Sequence, residues 1–327
     1  MVGRLRIARA YTNRVPNLGD TGEFGVISRL TAGRDLSADV LLGPGDDAAV
    51  VAAPDGRVVV STDMLVQDRH FRFEWSSPSD IGRKAVAQNA ADIEAMGGRV
   101  TAFVVAVGAP AQTDIEFLDQ LNEGVWAEAT RVGASIAGGD LVSSRELVVS
   151  VTVLGDLQGR TPVTRSGATV GDTVAVCGVL GTSAAGLRLW QDGIDEFSEL
   201  RRVHLVPEPP YGQGPAAALA GATAMTDVSD GLLADLAHIA ELSAVHIDLS
   251  TPSMEPYLAP LAGAAALLGA DPWEWILTGG EDHALVATFP GAVPAGWVAI
   301  GRVTVGDVGV TVDGAAWTRA TGWDSFA

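Results

Sequence analysis

Five aspartates in the first half of the chain stand where a carboxylate is expensive to keep unless something positive sits beside it. Asp46 and Asp47 follow the turn Gly43-Pro44-Gly45, between the apolar runs Val40-Leu41-Leu42 and Val50-Val51. Asp63 closes Ser61-Thr62-Asp63 after the run Val58-Val59-Val60, and Asp140 follows Gly138-Gly139. The spacing reads as strand ends and glycine turns. Asp92 belongs to a helix read from Ile81 to Met96. At about 100° per residue, Ile81, Ala85, Gln88, Asp92 and Met96 share one stripe, so Asp92 faces the interior or its rim. A buried carboxylate without a partner costs several kcal/mol or takes up a proton. An arginine or a metal ion relieves that cost, and for Asp92 both readings stand. For the Asp46 and Asp63 stretches, the alternative is two surface hairpins with Asp as a turn residue.

Clustered carboxylates without an accompanying Cys/His group favour a hard cation, Mg²⁺ above Zn²⁺. Magnesium keeps some of its waters and is completed by substrate phosphates, so the pattern suggests a metal–phosphate site. Ser229 and Asp230, in Asp227-Val228-Ser229-Asp230-Gly231, open a helix whose N–H groups would favour an anion; a plain N-cap is the equal alternative. Glu281, after Gly279-Gly280, reads as a ligand-binding carboxylate or a turn residue, and His70 as a surface or pocket histidine. Two glycine-rich stretches are decoys. Gly181-Thr182-Ser183-Ala184-Ala185-Gly186-Leu187-Arg188 has phosphate-loop spacing without the Lys-Ser/Thr pair and reads as a helix entry. Gly43-Pro44-Gly45 lacks the third glycine of a dinucleotide turn. No Ser/His/Asp arrangement is legible.

Composition narrows the field. The 327 residues are 47% hydrophobic and 19% charged, with 40 acidic against 21 basic groups and a formal net charge of -19. This is the balance of a packed globular chain long enough for two ordinary domains. The acidity argues against nucleic acid and against an anionic membrane surface. A phosphorylated substrate would need metal ions or a local arginine cluster against the overall field. Lys84 is the sole lysine, and Cys177, in the apolar run Val174-Ala175-Val176-Cys177, reads as a buried structural thiol. The Arg-rich segment Met1 to Tyr11 lacks the apolar core of a signal peptide, and the Ala/Leu-rich segment Leu258 to Ala270 is too short to span a bilayer. A cytoplasmic location is expected.

The elements that must position these residues follow in order. Residues 1–20 read as irregular. A short helix runs from Gly22 through Leu30. Strands lie near 40–42, 49–52 and 58–62, and Ser77-Pro78-Ser79-Asp80 starts the Asp92 helix, which stops at Gly97-Gly98. A buried strand at 102–107, a helix at 114–132, the step Ser135 to Asp140 and an alternating strand at 147–154 complete the first half, and Gly155 to Pro162 reads as a linker. The second half carries a strand at 173–176, helices at 183–190, 215–219, 232–242 and 256–268, a Pro-rich loop from His204 to Gly214, and strands at 245–249 and 284–289, with two more between Gly301 and Trp317. Both halves mix strands and helices in α+β fashion.

The motifs in order resemble a known family. They are Gly22-Glu23-Phe24, Gly43-Pro44-Gly45-Asp46-Asp47-Ala48, Ser61-Thr62-Asp63 with His70-Phe71, Asn89-Ala90-Ala91-Asp92-Ile93 with Ala95-Met96-Gly97, Gly138-Gly139-Asp140, Thr164-Arg165-Ser166-Gly167-Ala168, Asp227-Val228-Ser229-Asp230-Gly231-Leu232 and Gly279-Gly280-Glu281-Asp282. Together they are similar to the thiamine-monophosphate kinase family, within the superfamily of aminoimidazole ribonucleotide synthetase. The resemblance runs from about Gly22 to the tail Gly322-Trp323-Asp324-Ser325-Phe326. It implies an α/β fold of α+β type in two domains, 21–157 binding ATP and Mg²⁺ and forming a homodimer, and 158–327 completing the substrate site. It also implies ATP-dependent phosphorylation of thiamine monophosphate to thiamine diphosphate by direct in-line transfer. It places several Mg²⁺ ions on Asp47, Ser61, Thr62, Asp63, Asp92, Asp140, Asp227 and Asp230. It places ATP on Gly139, Asp140, Arg165 and Ser229, and thiamine phosphate on His70, Glu281 and Trp323. Asp63, Asp92, Asp140 and Arg165 form the implied catalytic set. An aromatic ring at Trp323 suits a flat cationic thiazolium.

Ala91, where the family commonly has Ser, and the extra charge of Glu94 remove no ligand. Selenophosphate synthetase and the hydrogenase-maturation dehydratase of the superfamily carry a reactive thiol near one terminus; here the thiol is Cys177, mid-chain. Another ATP-dependent enzyme of the superfamily and a non-catalytic nucleotide or thiamine sensor are the alternative readings.

Overall fold

The computed structural model describes residues 16–21, 23–44, 48–319 and 322. Helices α1 (Leu18–Thr21) and α2 (Glu23–Thr31) precede a two-stranded antiparallel ribbon, β1 (Val40–Leu42) and β2 (Val50–Val51). Then come β3 (Val59–Val66), α3 (Pro78–Ala95), β4 (Arg99–Ala109), α4 (Ile115–Arg131), β5 (Ser135–Ser143) and β6 (Val148–Asp156). The four longer strands form one sheet in the order β3-β6-β4-β5, with β4 and β5 parallel across α4 and the other pairs antiparallel.

Helix α3 is set by its ends. Ser77 and Asp80 form a capping box, Pro78 takes the first turn where no N–H is needed, and the chain turns out at Gly97 with φ 73°. Val149, Val151 and Val153 of β6 alternate onto Ile81, Ala85, Ile93, Leu118 and Val125 of α3 and α4, making the first core. The other face of the sheet is open: Val60 and Met64 of β3 and Val142 of β5 are more than half exposed. Among the described residues, only one end of it is covered, where β1 and β2 lay Val40 and Val51 against Ala102, Ala137 and Leu154.

The second half contains β7 (Thr173–Cys177), α5 (Thr182–Gln191), α6 (Ser198–Leu205), α7 (Gln213–Leu219), β8 (Ala224–Asp227), α8 (Leu232–Ser243), β9 (His246–Leu249), α9 (Thr251–Met254), α10 (Ala262–Leu268), α11 (Pro272–Thr278), β10 (Leu285–Phe289), β11 (Val298–Thr304) and β12 (Gly309–Val312). Its six-stranded sheet has the order β12-β9-β11-β7-β10-β8. One face packs on α5, α8, α10 and α11. The other packs on α7 and meets Ala95 at the end of α3.

The two sheets are joined at that point. Buried Glu94 accepts N–H bonds from Gly212 and Gly214, both 2.8 Å, and a Cβ on Gly214 would stand 1.9 Å from the Glu94 carbonyl oxygen.

Several expectations are corrected. Helix α6 runs through His204, so the loop covers only 206–212; the prolines at 207, 209 and 210 end the helix rather than exclude it. The expected helix 256–268 is reduced to the end of a 3-10 turn, Glu255–Tyr257, and to α10, because Pro260 cannot continue the ladder; α9 precedes it. Helix α11 was not foreseen. Cys177 is buried, as expected.

Candidate active site

Strand β3 presents alternate residues to opposite faces. Ser61, Asp63 and Leu65 face α3, and Thr62 lies with Val60 and Met64 on the open side. Ser61 Oγ donates to Asp92 Oδ2 at 2.6 Å, and the Asp63 N–H donates to Asn89 Oδ1 at 3.0 Å. Thr62 Oγ1 turns instead to the Val151 carbonyl at 3.0 Å and to Thr152. Asp63 is mid-strand rather than at a strand end; what fixes it is the single helix turn between Asn89 and Asp92, which serves both neighbours of the strand.

Helix α3 packs against β8, and β8 ends in buried Asp227. This carboxylate is the centre of a negative cluster. Burial first, then the charges of Asp227 and Asp63, push the Asp92 carboxyl up to about 7, with Ser61 opposing. Asp63 and Asp230 are also raised, by burial and by Asp227. Among the described residues facing them are His283, whose Nδ1 lies 3.0 Å from Asp227 Oδ2 and whose pKa, against the effect of burial, is raised by that carboxylate, and Arg165, whose Nε donates to Thr226 Oγ1 at 3.2 Å beside Asp230.

The turn Ser229-Asp230-Gly231 is shaped by Asp235 of α8. Its Oδ2 accepts N–H bonds from all three residues, at 3.0, 3.1 and 3.1 Å. The N–H groups that the sequence offered to an anion are therefore already occupied. Burial and the charges of Asp227 and Asp230 raise Asp235 to about 7 despite those bonds.

Glu281 lies at the far end of the cluster. Its N–H donates to the Ser229 carbonyl at 2.7 Å, and its carboxylate meets Lys84 Nζ at 3.1 Å. His70 Nδ1 accepts from the Val66 N–H at 3.0 Å, and the His70 carbonyl takes a second Lys84 donor at 3.0 Å. His204 Nδ1 stands 3.5 Å from Glu281 and 3.1 Å from Ser183 Oγ. Burial and Lys84 lower His204 to about 4, so it is neutral and the contact is not an ion pair.

Ser61, Asp63, Asp92, Asp227, Asp230, Arg165 and the Ser229 turn thus converge, with His70 and Glu281 beside them. Gly139 and Asp140 do not join them within one chain. They lie exposed on β5, mid-strand and not in a turn. The glycine is there because a Cβ would stand 2.0 Å from the Val105 carbonyl oxygen. Strand β5 is the opposite edge of the sheet from β3, three strand spacings or about 14 Å away. Asp47 and Trp323 lie outside the described residues. Gly322 is described, against the Asp230 carbonyl and Ala234, where a Cβ would stand 2.7 Å from each.

Lys84, Asn89, His204, Asp235 and His283 support the site without carrying a local motif that marks them for that role. One signal was available, since a lone lysine at a buried helix position asks for a partner. The Gly181 stretch is a helix entry, as expected. Here Asp282 takes the Gly181 and Ser183 N–H groups and the Thr182 hydroxyl, filling the cradle that a phosphate would need.

Among the described residues, no three of His, Cys, Asp and Glu stand close enough to hold an ion unaided. The donor set is nevertheless carboxylate and hydroxyl oxygen with an excess of negative charge, which suits a hard divalent ion that takes its remaining ligands from water and phosphate.

The family model described as AIR synthase related protein, N-terminal domain, matches residues 45–157. A thiamine-monophosphate kinase of Mycobacterium tuberculosis H37Rv is 64% identical over 311 residues, covering 95% of this chain and 93% of that protein. The thiamine-monophosphate kinase structure from Stenotrophomonas maltophilia K279a superposes with TM-score 0.76 at 34% identity, over 89% of this chain and 95% of that one. AaThiL complexed with AMPPCP and TMP superposes with TM-score 0.74 at 29% identity, over 97% of this chain and all (100%) of that one. Sequence, fold and the order of the acidic motifs agree, and the chain belongs to the thiamine-monophosphate kinase family.

Proposed function

We propose that this chain transfers the γ-phosphoryl group of ATP to the phosphate of thiamine monophosphate, giving thiamine diphosphate and ADP. The observation that carries this is the 64% identity to a thiamine-monophosphate kinase along nearly the full length of both chains. The acidic cluster between α3 and β8 supports it, because it would hold the cations that two phosphate-bearing substrates need beside them.

Asp63, Asp92, Asp227 and Asp230, with Ser61, would hold Mg²⁺; Asp47 belongs to the same proposed set, and Thr62 and Asp140, which lie off this cluster within one chain, would join it only across the proposed dimer. Bound Mg²⁺ would neutralise the phosphates of donor and acceptor and withdraw charge from the transferring group. Arg165 and the hydroxyl of Ser229, whose N–H is already taken by Asp235, would bind the ATP phosphates, with Gly139 giving close backbone approach. His70, Glu281 and Trp323 orient the thiamine end. An oxygen of the acceptor phosphate attacks the γ-phosphorus as the bond to the β-phosphate oxygen breaks. That oxygen is already anionic, so no strong general base is needed, and alignment carries the rate. The transfer is direct, and no residue becomes phosphorylated.

The division of labour between residues 21–157 and 158–327 belongs to the same proposal, as does a homodimer. The open apolar face of the first sheet offers Val60, Met64 and Val142 to a second copy. The β5 edge of one copy would then serve the site of the other, giving Gly139 and Asp140 roles that the sheet order keeps from them within one chain. A cytoplasmic location fits a chain in which no described helix is long and apolar enough to cross a membrane.

Phosphorus NMR of the purified protein with ATP, Mg²⁺ and thiamine monophosphate tests the reading. Thiamine diphosphate and ADP should appear in equal amounts, and EDTA should abolish both. ATP left untouched with thiamine monophosphate bound would make the protein a sensor. ADP with free phosphate would mean a wrong acceptor, and aminoimidazole precursors would be tried next.

A further inference from the structure

Lys84 is the sole lysine of the sequence and one of the most buried charged side chains, 2% exposed in the middle of α3. Its ammonium has three donors, and all are used. One goes to the His70 carbonyl at 3.0 Å, one to the His204 carbonyl at 3.4 Å, and one to the Glu281 carboxylate, whose oxygens lie 3.1 and 3.2 Å away. These partners come from three separate places: the loop after β3, the end of α6 and the turn before β10. With no donor left, the lysine cannot itself grip a phosphate.

Glu281 is the reverse case, one third exposed at 33% and open on one side. Its backbone is at φ 61°, a left-handed conformation uncommon outside glycine, and is held there by the N–H bond to Ser229. Backbone and carboxylate are therefore each fixed, the first by the Ser229 turn and the second by α3. An arginine would not do the same work, because a planar guanidinium cannot aim three donors at acceptors converging on one point.

We propose that Lys84 is a positioning residue for the acceptor substrate: it locks Glu281 and the His70 loop in the geometry that receives the thiamine end of thiamine monophosphate. This rests on the function proposed above and adds a residue that touches no substrate.

Because there is one lysine, protein labelled with ¹³C at lysine Cε gives a single lysine signal. That signal should move on Glu281→Gln without any ligand. It should also move on adding thiamine monophosphate and stay in place on adding a non-hydrolysable ATP analogue. In steady-state assays, Lys84→Gln should raise KM for thiamine monophosphate about tenfold or more and leave KM for ATP within about twofold. Lys84→Gln/Glu281→Gln should be no more than about twofold worse than the worse single variant, since the pair acts as one unit. Lys84→Arg should not restore KM. If Lys84→Gln does not fold, the double variant, which leaves no unpaired charge, carries the KM test.

A lysine signal indifferent to Glu281→Gln overturns the proposal, as do parallel rises in both KM values or multiplicative effects in the double variant. A wild-type protein that leaves thiamine monophosphate unphosphorylated overturns the proposed function instead. That case is told apart because the lysine signal still answers to Glu281→Gln.

Discussion

Ser61 and Asp92 are tied by a 2.6 Å hydrogen bond from the hydroxyl of a strand to the carboxylate of a helix. The bond favours the ionised carboxylate, while burial, Asp227 and Asp63 favour the proton. Asp63→Asn and Asp92→Asn should fold and lose at least about 100-fold in turnover, the scale of a lost transition-state electrostatic contact. Ser61→Ala should cost about tenfold, close to the smaller range for one hydrogen bond to a charged group. Thiamine diphosphate formation at saturating Mg²⁺ checks all three, and wild-type turnover in both aspartate variants would remove the metal assignment.

Metal removal should separate function from stability. In EDTA the wild type should be inactive. Asp92→Asn should then melt higher than the wild type by a few degrees, because one member of a mutually repelling buried set has gone. With Mg²⁺ and ATP present the order should reverse, since ligand binding stabilises only the protein that can bind. Paired melting curves decide it.

Acid should destabilise the protein through His204. This ring faces Ser183 Oγ, Glu281 and the Lys84 ammonium, with the edge of Trp75 beyond, and its pKa is lowered to about 4 by burial and by Lys84. The unfolded chain takes a proton near the ordinary histidine value and the folded chain does not. Stability from this group is therefore complete above about pH 6.5 and is lost as pH falls from there towards 4, by at most about 3 kcal/mol. Asp92 and Asp235, held up to about 7, gain stability over the same fall in pH, so the loss is read by difference: in urea denaturation from pH 7.5 to 4.5 the wild type should lose stability relative to His204→Gln by up to that amount.

The join between the two sheets should depend on Glu94. Glu94→Ala leaves the Gly212 and Gly214 N–H groups buried without acceptors and should cost about 2–4 kcal/mol. Gly214→Ala should be worse, because the added methyl group has no room beside the Glu94 carbonyl oxygen. Chemical denaturation gives the magnitudes, and limited proteolysis in the 157–163 segment should report a loosened join.

The proposed dimer should fail to form when the open sheet face is charged. Val60→Asp/Met64→Asp alters two exposed positions that contribute nothing to the first core, so the chain should still fold. Sedimentation should give a monomer, and activity should fall with it if β5 serves the neighbouring site. A dimer that survives both charges would place the interface elsewhere.

Much of this was legible beforehand for local reasons. The capping box of α3 is written in four adjacent residues, and the alternation of β6 is visible residue by residue. Asp92 was foreseen on the inward side of α3 because helical period alone decides that. What stayed hidden depends on chain order in space. Nothing in Gly138-Gly139-Asp140 tells that the strand continues through two glycines after a register shift at Ala137, or that β5 and β3 become opposite edges. Helix α6 was hidden because the prolines after it dominate the local signal. Asp235 and Lys84 act on residues brought to them by folding, Lys84 across 197 positions of sequence to Glu281, and no spacing rule reaches that far.

Helix α3 carries Lys84 at one station and Asp92 eight residues further on, a rise of about 12 Å along one rigid rod. It is therefore a ruler cut for a single length. The proposed ring-recognising end and the proposed phosphate-handling end are engraved on the same element, so their separation cannot drift as loops breathe. Any change of helix length would rotate one mark away from the other by a full residue step. Acceptors with a longer or shorter arm between ring and phosphate should be rejected by distance alone, even if their ring and phosphate are chemically correct.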